Sequence, residues 1–146
     1  MKVVTIDPGV TTGVVVAYIR GSTVSVNPNQ YKLMHKDFFL TLKDYKPDIL
    51  VYEGFEYRPR LGSAELFPRE LIGILKLYAE HYLIRAYEQR PSQGLGGFFK
   101  DKKKLMDEGL WVKGCPHGMD AMRHFLYWFK FGAGGQYNKN HSVNLV

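Results

Sequence analysis

Three acidic residues stand where apolar segments end or a helix begins, and acids placed that way can share a cation. Asp7 closes the run Val3-Val4-Thr5-Ile6 and leads into Pro8-Gly9, with Thr11-Thr12-Gly13 just beyond. A β-rich run ending on an acid at a tight turn sets that carboxylate at a sheet edge, pointing out of the core. Glu53 repeats the arrangement after Asp48-Ile49-Leu50-Val51-Tyr52, with Gly54 and Phe55 following. Asp120 stands three residues after His117 in His117-Gly118-Met119-Asp120-Ala121, so a helix there projects both from one face. His124 continues that face one turn on, whereas Met122, Phe125 and Phe129 lie on other sides. A carboxylate in so apolar a helix has to be paired, hydrogen-bonded or metal-bound, because an isolated buried charge costs several kcal/mol.

Three carboxylates and an imidazole at one point make an oxygen-rich, hard site suited to magnesium or manganese. Two such ions about 4 Å apart clamp the attacking water and the leaving oxygen of a phosphodiester. Each residue also has an ordinary explanation. Asp-Pro-Gly is a common turn, Glu53 can open a loop, and His117 and Asp120 can sit at a helix N-terminus stabilised by its dipole. Their joint placement at three element ends favours the shared site.

The cationic residues suit a polyanion. Net charge is +6, which favours a partner such as nucleic acid. Lys100, Lys102, Lys103 and Lys104 lie just upstream of the last helix, either binding phosphates or forming a solvated face. Arg58 and Arg60 flank Pro59, with Phe55 and Tyr57 interleaved; such a loop suits unstacked bases, and equally suits packing on a sheet. Arg123 can steady a phosphate or pair with a nearby acid. The one cysteine, Cys115, excludes an internal disulfide and a cysteine-based zinc site, and is read as structural.

These residues need a scaffold, and 146 residues suffice for one domain with a real core. Residues 2–7, 13–20 and 23–27 read as strands joined by tight turns, and 31–45 as a helix stopped by Pro47. Asp48–Tyr52 is a buried strand. Leu71, Ile74, Leu75, Tyr78 and Tyr82 mark a helix opened by Pro68, and Tyr82–Glu88 a further strand. Gln89–Gly97 is a loop, Phe98–Asp107 a short basic helix, and Pro116 leads into a last helix to about Phe131. The expected organisation is an ordered domain over 1–131 and a flexible tail over 132–146. Three antiparallel strands followed by two αβ crossovers give an α/β fold with a mixed five-stranded sheet flanked by helices. Its first and fourth strands can then lie parallel, with Asp7 and Glu53 at one end. No signal-peptide pattern and no membrane-spanning apolar run is present in the sequence, so a soluble, cytoplasmic chain (host cytoplasm, if phage-encoded) is expected.

The order Ile6-Asp7-Pro8-Gly9, Thr12-Gly13, then Tyr52-Glu53-Gly54-Phe55, then His117-x-x-Asp120-Ala121 resembles the RuvC family of Holliday-junction resolvases, within the RNase H-like superfamily. The likeness is closest to the RuvC-like resolvases of bacteriophages, which also carry something like Pro68-Arg69-Glu70-Leu71-Ile72-Gly73 and a closing His-x-x-Asp-Ala-x-Arg-His, here His117 to His124. It spans residues 3 to about 130. The first motif is shared with actin-like ATPases; the three in order are more specific.

The resemblance implies an RNase H-like fold and a magnesium- or manganese-dependent endonuclease with two ions per site, held by Asp7, Glu53, His117 and Asp120. Asp7 would bridge the ions and Glu53 and Asp120 would fix one each. His117, where some relatives have aspartate, is a ligand or a general acid–base group. Phe55 falls where these enzymes place an aromatic near the DNA branch point. The implied partner is branched DNA, as four-way junctions or flaps, and the implied products carry 5′-phosphate and 3′-hydroxyl ends. Two symmetric nicks imply a homodimer, with the helix around Leu71–Tyr82 as its surface. The rival readings are a monomeric flap or RNase H-type nuclease, and a non-catalytic branched-DNA-binding module.

Overall fold

Apolar residues occupy both faces of the first strands, so these strands are buried from two sides. The computed structural model describes residues 1–55, 66–94, 99–132 and 141–146. β1 (Lys2–Asp7) pairs antiparallel with β2 (Thr12–Arg20), and β2 with β3 (Thr23–Tyr31). The chain crosses through α1 (His35–Tyr45) to β4 (Ile49–Glu53), parallel to β1, and through α2 (Leu66–His81) to β5 (Arg85–Gln89), parallel to β4. The short α3 (Pro91–Gly94) and α4 (Lys102–Asp107) precede α5 (Pro116–Tyr127), which runs on into a π-helical turn at Trp128–Gly132. The expected three antiparallel and two parallel strands are all present. Among the described residues a sixth, β6 (Ser142–Leu145), joins parallel to β3, giving the order β5-β4-β1-β2-β3-β6.

β6 departs from the flexible tail expected over 132–146. Val143 and Leu145 alternate with Ser142 and Asn144 and pack against the core, a period-two pattern that the polar composition of the tail obscures. β3 also outruns the expected 23–27. Pro28 falls on the stretch that β6 does not pair, where β3 is an edge and a proline is tolerated. Within the expected loop after Gln89, the Gln93 side chain accepts from the Arg90 N–H at 2.7 Å and closes the turn of α3.

The sheet separates two apolar layers. Val4, Ile6, Val14, Val16 and Leu50 face α1 and α2 through Phe38, Leu42, Leu71 and Leu75. Val3, Val15, Ala17, Val26 and Val51 face α5 through Met119, Met122 and Phe125. By alternation Asp7 shares the α5 side with Val3, and Glu53 shares it with Val51. The β1–β4 register is fixed at the far end, where the Lys2 N–H donates to Asp48 Oδ2 at 2.6 Å and the Asp48 N–H to the Lys2 carbonyl at 2.9 Å. Ile6 then stands beside Tyr52, and both strands end together on their acids. No helix among the described residues is long and apolar enough to cross a membrane.

Candidate active site

α5 carries the third acid and has to approach the sheet closely. It lies across β1, β2, β3 and β4. A Cβ at Gly13 would collide with the His117 carbonyl, so the glycine in Thr12-Gly13 admits the first turn of the helix. Thr12 Oγ1 donates to the Gly9 carbonyl at 3.0 Å and fixes the turn after Asp7. Pro116 opens α5, and the His117 N–H donates to Gln30 Oε1 at 3.1 Å, anchoring that turn to β3. As a result Asp7, His117 and Asp120 each offer a ligand atom, all within 4.8 Å of one another.

This cluster concentrates carboxyl groups in a buried place. The Asp7 carboxyl is pushed up to about 8, first by burial and then by the Glu53 and Asp120 carboxylates. Burial also pushes Asp120 up and Glu53 adds to it, against the opposing pull of Arg123 and His117. Arg123 Nη1 reaches Asp120 Oδ1 at 2.8 Å and its Nε donates to the Phe99 carbonyl at 3.2 Å. Of the two roles open to Arg123 from the sequence, pairing with an acid is the one seen. Oxygen and imidazole donors at this spacing, with a central carboxyl that resists ionising alone, fit a hard divalent cation.

Glu53 lies at the border of the cluster and is engaged elsewhere. Its Oε2 accepts from His124 Nε2 at 2.7 Å, and His124 Nδ1 faces Gln89 Oε1, also at 2.7 Å. The sequence placed His124 on the right helical face, at the spacing of His117 and Asp120, without a partner. Gln89 carries no local signal: it is Glu53's neighbour only through the β4–β5 ladder.

Of the expected DNA-contacting residues, Phe55 follows β4 and the lysines precede α5. Phe55 is half-buried, with the Arg69 guanidinium 5.7 Å from its ring centre, and helps line a cleft of about 410 Å³ with Gly54, Glu88, Gln89, Arg90 and Pro91. Arg58 and Arg60, with Tyr57, lie outside the described residues. Lys100, Lys102, Lys103 and Lys104 are exposed, and Leu105 anchors α4 in the core. Lys102 Nζ lies 4.9 Å and the Arg123 guanidinium 5.9 Å from the centre of the Trp111 ring, which links the basic helix to the acid site. Trp111 was not singled out in the sequence, and Arg69 only as part of the Pro68–Gly73 segment. Cys115 is buried and burial pushes its thiol up, in keeping with a structural role.

No protein-family model matches the sequence, and no curated protein matches it. Solved structures do. Thermus thermophilus RuvC, in complex with a Holliday junction substrate, aligns over 90% of this chain and 97% of its own at 19% identity and a TM-score of 0.63. The yeast mitochondrial Holliday junction resolvase Ydc2 aligns over 94% and 81%, at 17% identity and a TM-score of 0.62. The chain has the RuvC-type fold. The fowlpox virus Holliday junction resolvase shares that fold over 88% of this chain and 97% of its own, at 10% identity and a TM-score of 0.60. RuvC-type architecture thus covers nearly the whole chain.

Proposed function

We propose that this chain is a divalent-metal-dependent endonuclease that cuts branched DNA, with the four-way junction as its substrate. The observation that carries the reading is the convergence of Asp7, His117 and Asp120 within 4.8 Å on a RuvC-type fold. The three similar structures are Holliday junction resolvases, one of them bound to its junction.

Asp7, His117, Asp120 and Glu53 would hold two magnesium or manganese ions, with Asp7 central because burial and both neighbouring carboxylates act on it. Bound there, the ions supply Lewis-acid activation of water and charge neutralisation at the phosphate. Asp120 is kept in orientation by Arg123, which spends its own charge on that pair. His117 is tied through its backbone to Gln30, so its ring has a fixed origin from which to bind an ion or exchange a proton with the attacking water.

The flanking residues match a branched polyanion. Lys100, Lys102, Lys103 and Lys104 offer salt-sensitive phosphate contacts beside Trp111. Phe55, with Arg69 beside its ring, and Arg58 and Arg60 in the sequence that follows suit bases unstacked at a branch. A homodimer would deliver the two symmetric nicks that resolution needs. The stripe Leu66, Gly73 and Leu77 on α2 supports it: Leu66 and Leu77 are 50% and 61% exposed, and open space lies over Gly73.

Asp7→Asn tests the assignment. The variant should bind a four-way junction as the native chain does, while magnesium-dependent cleavage falls at least about a thousandfold, as when a member of a catalytic unit is removed. Undiminished cleavage by the variant would remove the site from the mechanism.

A further inference from the structure

His124 is a histidine at 0% exposure, one turn beyond Asp120 on the same stripe of α5, with a polar partner at each nitrogen. Its Nε2 is 2.7 Å from Glu53 Oε2 and its Nδ1 is 2.7 Å from Gln89 Oε1. Gln89 is itself 5% exposed and stands beside Glu53 in the β4–β5 ladder, where its carbonyl accepts from the Gly54 N–H at 2.7 Å. α3 closes the niche from outside. A Cβ on Gly94 would come within 2.6 Å of Cδ2 and Cε1 of the ring, so a larger residue there would displace the imidazole. Such a niche is built for a ring with two polar ends, and an aliphatic or phenyl side chain would fill the space without serving either.

We propose that His124 is the positioning residue for Glu53, and that Gln89 fixes the ring that does it; the claim rests on the reading of Glu53 as part of the metal site. An ionised carboxylate only accepts, so the proton belongs on Nε2. The Gln89 amide can be turned either way, its oxygen taking a proton from Nδ1 or its NH2 giving one to it. The bond to Glu53 keeps its direction in both arrangements. With Oε2 held, Glu53 retains one carboxylate orientation at the end of β4 and loses little rotamer freedom when a cation arrives. The α5 stripe then has a division of labour: His117 and Asp120 face the cation, and His124, one turn deeper, faces the carboxylate from the opposite strand.

Calorimetric titration with Mn2+ alone, on the full chain, separates positioning from packing. His124→Phe keeps the ring volume and removes both nitrogens, while His124→Gln returns an N–H near the place of Nε2. The expected result is a loss of Mn2+ affinity of about tenfold to a hundredfold in the phenylalanine variant and a loss below about threefold in the glutamine variant, the range for residues that orient ligands. A folded His124→Phe protein with native Mn2+ affinity overturns the proposal. So does a glutamine variant as weak as the phenylalanine one. Should His124→Phe fail to fold, nitrogen-15 histidine spectra of the native chain and of Glu53→Gln decide instead. A proton on His124 Nε2 whose resonance moves in Glu53→Gln supports the pairing; an unprotonated Nε2, or no change, overturns it. A native chain that binds Mn2+ but leaves a four-way junction uncut overturns the nuclease reading alone, and the variants still decide the role of His124. A native chain that binds no Mn2+ overturns both.

Discussion

Asp7 has burial and two neighbouring carboxylates all acting in one direction, and that gives the folded chain a pH signature. Its carboxyl titrates near 3.8 when unperturbed and is pushed up to about 8 in the fold. Between those values the folded chain keeps a proton that the unfolded chain has lost. The contribution to stability is therefore complete below 3.8 and disappears as pH rises through about 8. In chelator, thermal stability should fall across this window in the native chain and fall less in Asp7→Asn, with magnesium or manganese restoring the native chain most at the alkaline end. Melting curves with equal pH slopes for the two proteins would contradict the raised carboxyl. Single residues were legible in the sequence where chemistry and position coincide: Asp7, His117 and Asp120 each close or open an element. The engagement of Glu53 was not legible, because its partner His124 lies 71 residues away and Gln89 reaches it only through strand pairing.

The elements bring those residues together by close approach, and Gly13 is where the tolerance is smallest. With the His117 carbonyl lying against it, Gly13→Ala forces β2 and α5 apart. The variant should lose about 1–3 kcal/mol of stability, as overpacked sites do, and also lose junction cleavage because His117 and Asp120 move from Asp7. Chemical denaturation and cleavage assays measure the two effects, and a variant of native stability and activity would show that α5 is not held by this contact. β1, β2 and β4 were legible because each is an apolar run bounded by turn residues, and α5 because its polar stripe recurs at three and seven. β3 and β6 were harder for opposite reasons. Asn27-Pro28-Asn29 looks like a turn but continues a strand at an edge, whereas Val143 and Leu145 look like tail and find an open edge to pair with. In both, the deciding factor is a neighbour distant in sequence.

Over the whole molecule, the placement of charge complements the acid site. A chain of net charge +6 that buries acids at one point must carry its cations elsewhere; Lys102, Lys103 and Lys104 lie on the helix that Trp111 ties to α5, and Lys100 just before it. The exposed leucines of α2 sit on the opposite layer of the sheet from α5, so a partner docked there leaves the acid cluster open. A product map on a four-way junction, a flap and an RNA–DNA hybrid, each with magnesium, tests the central claim most directly. The expected result is paired nicks at symmetric positions on two strands of the four-way junction, with little cutting of the hybrid. Cleavage of flap or hybrid with the four-way junction left intact would contradict it.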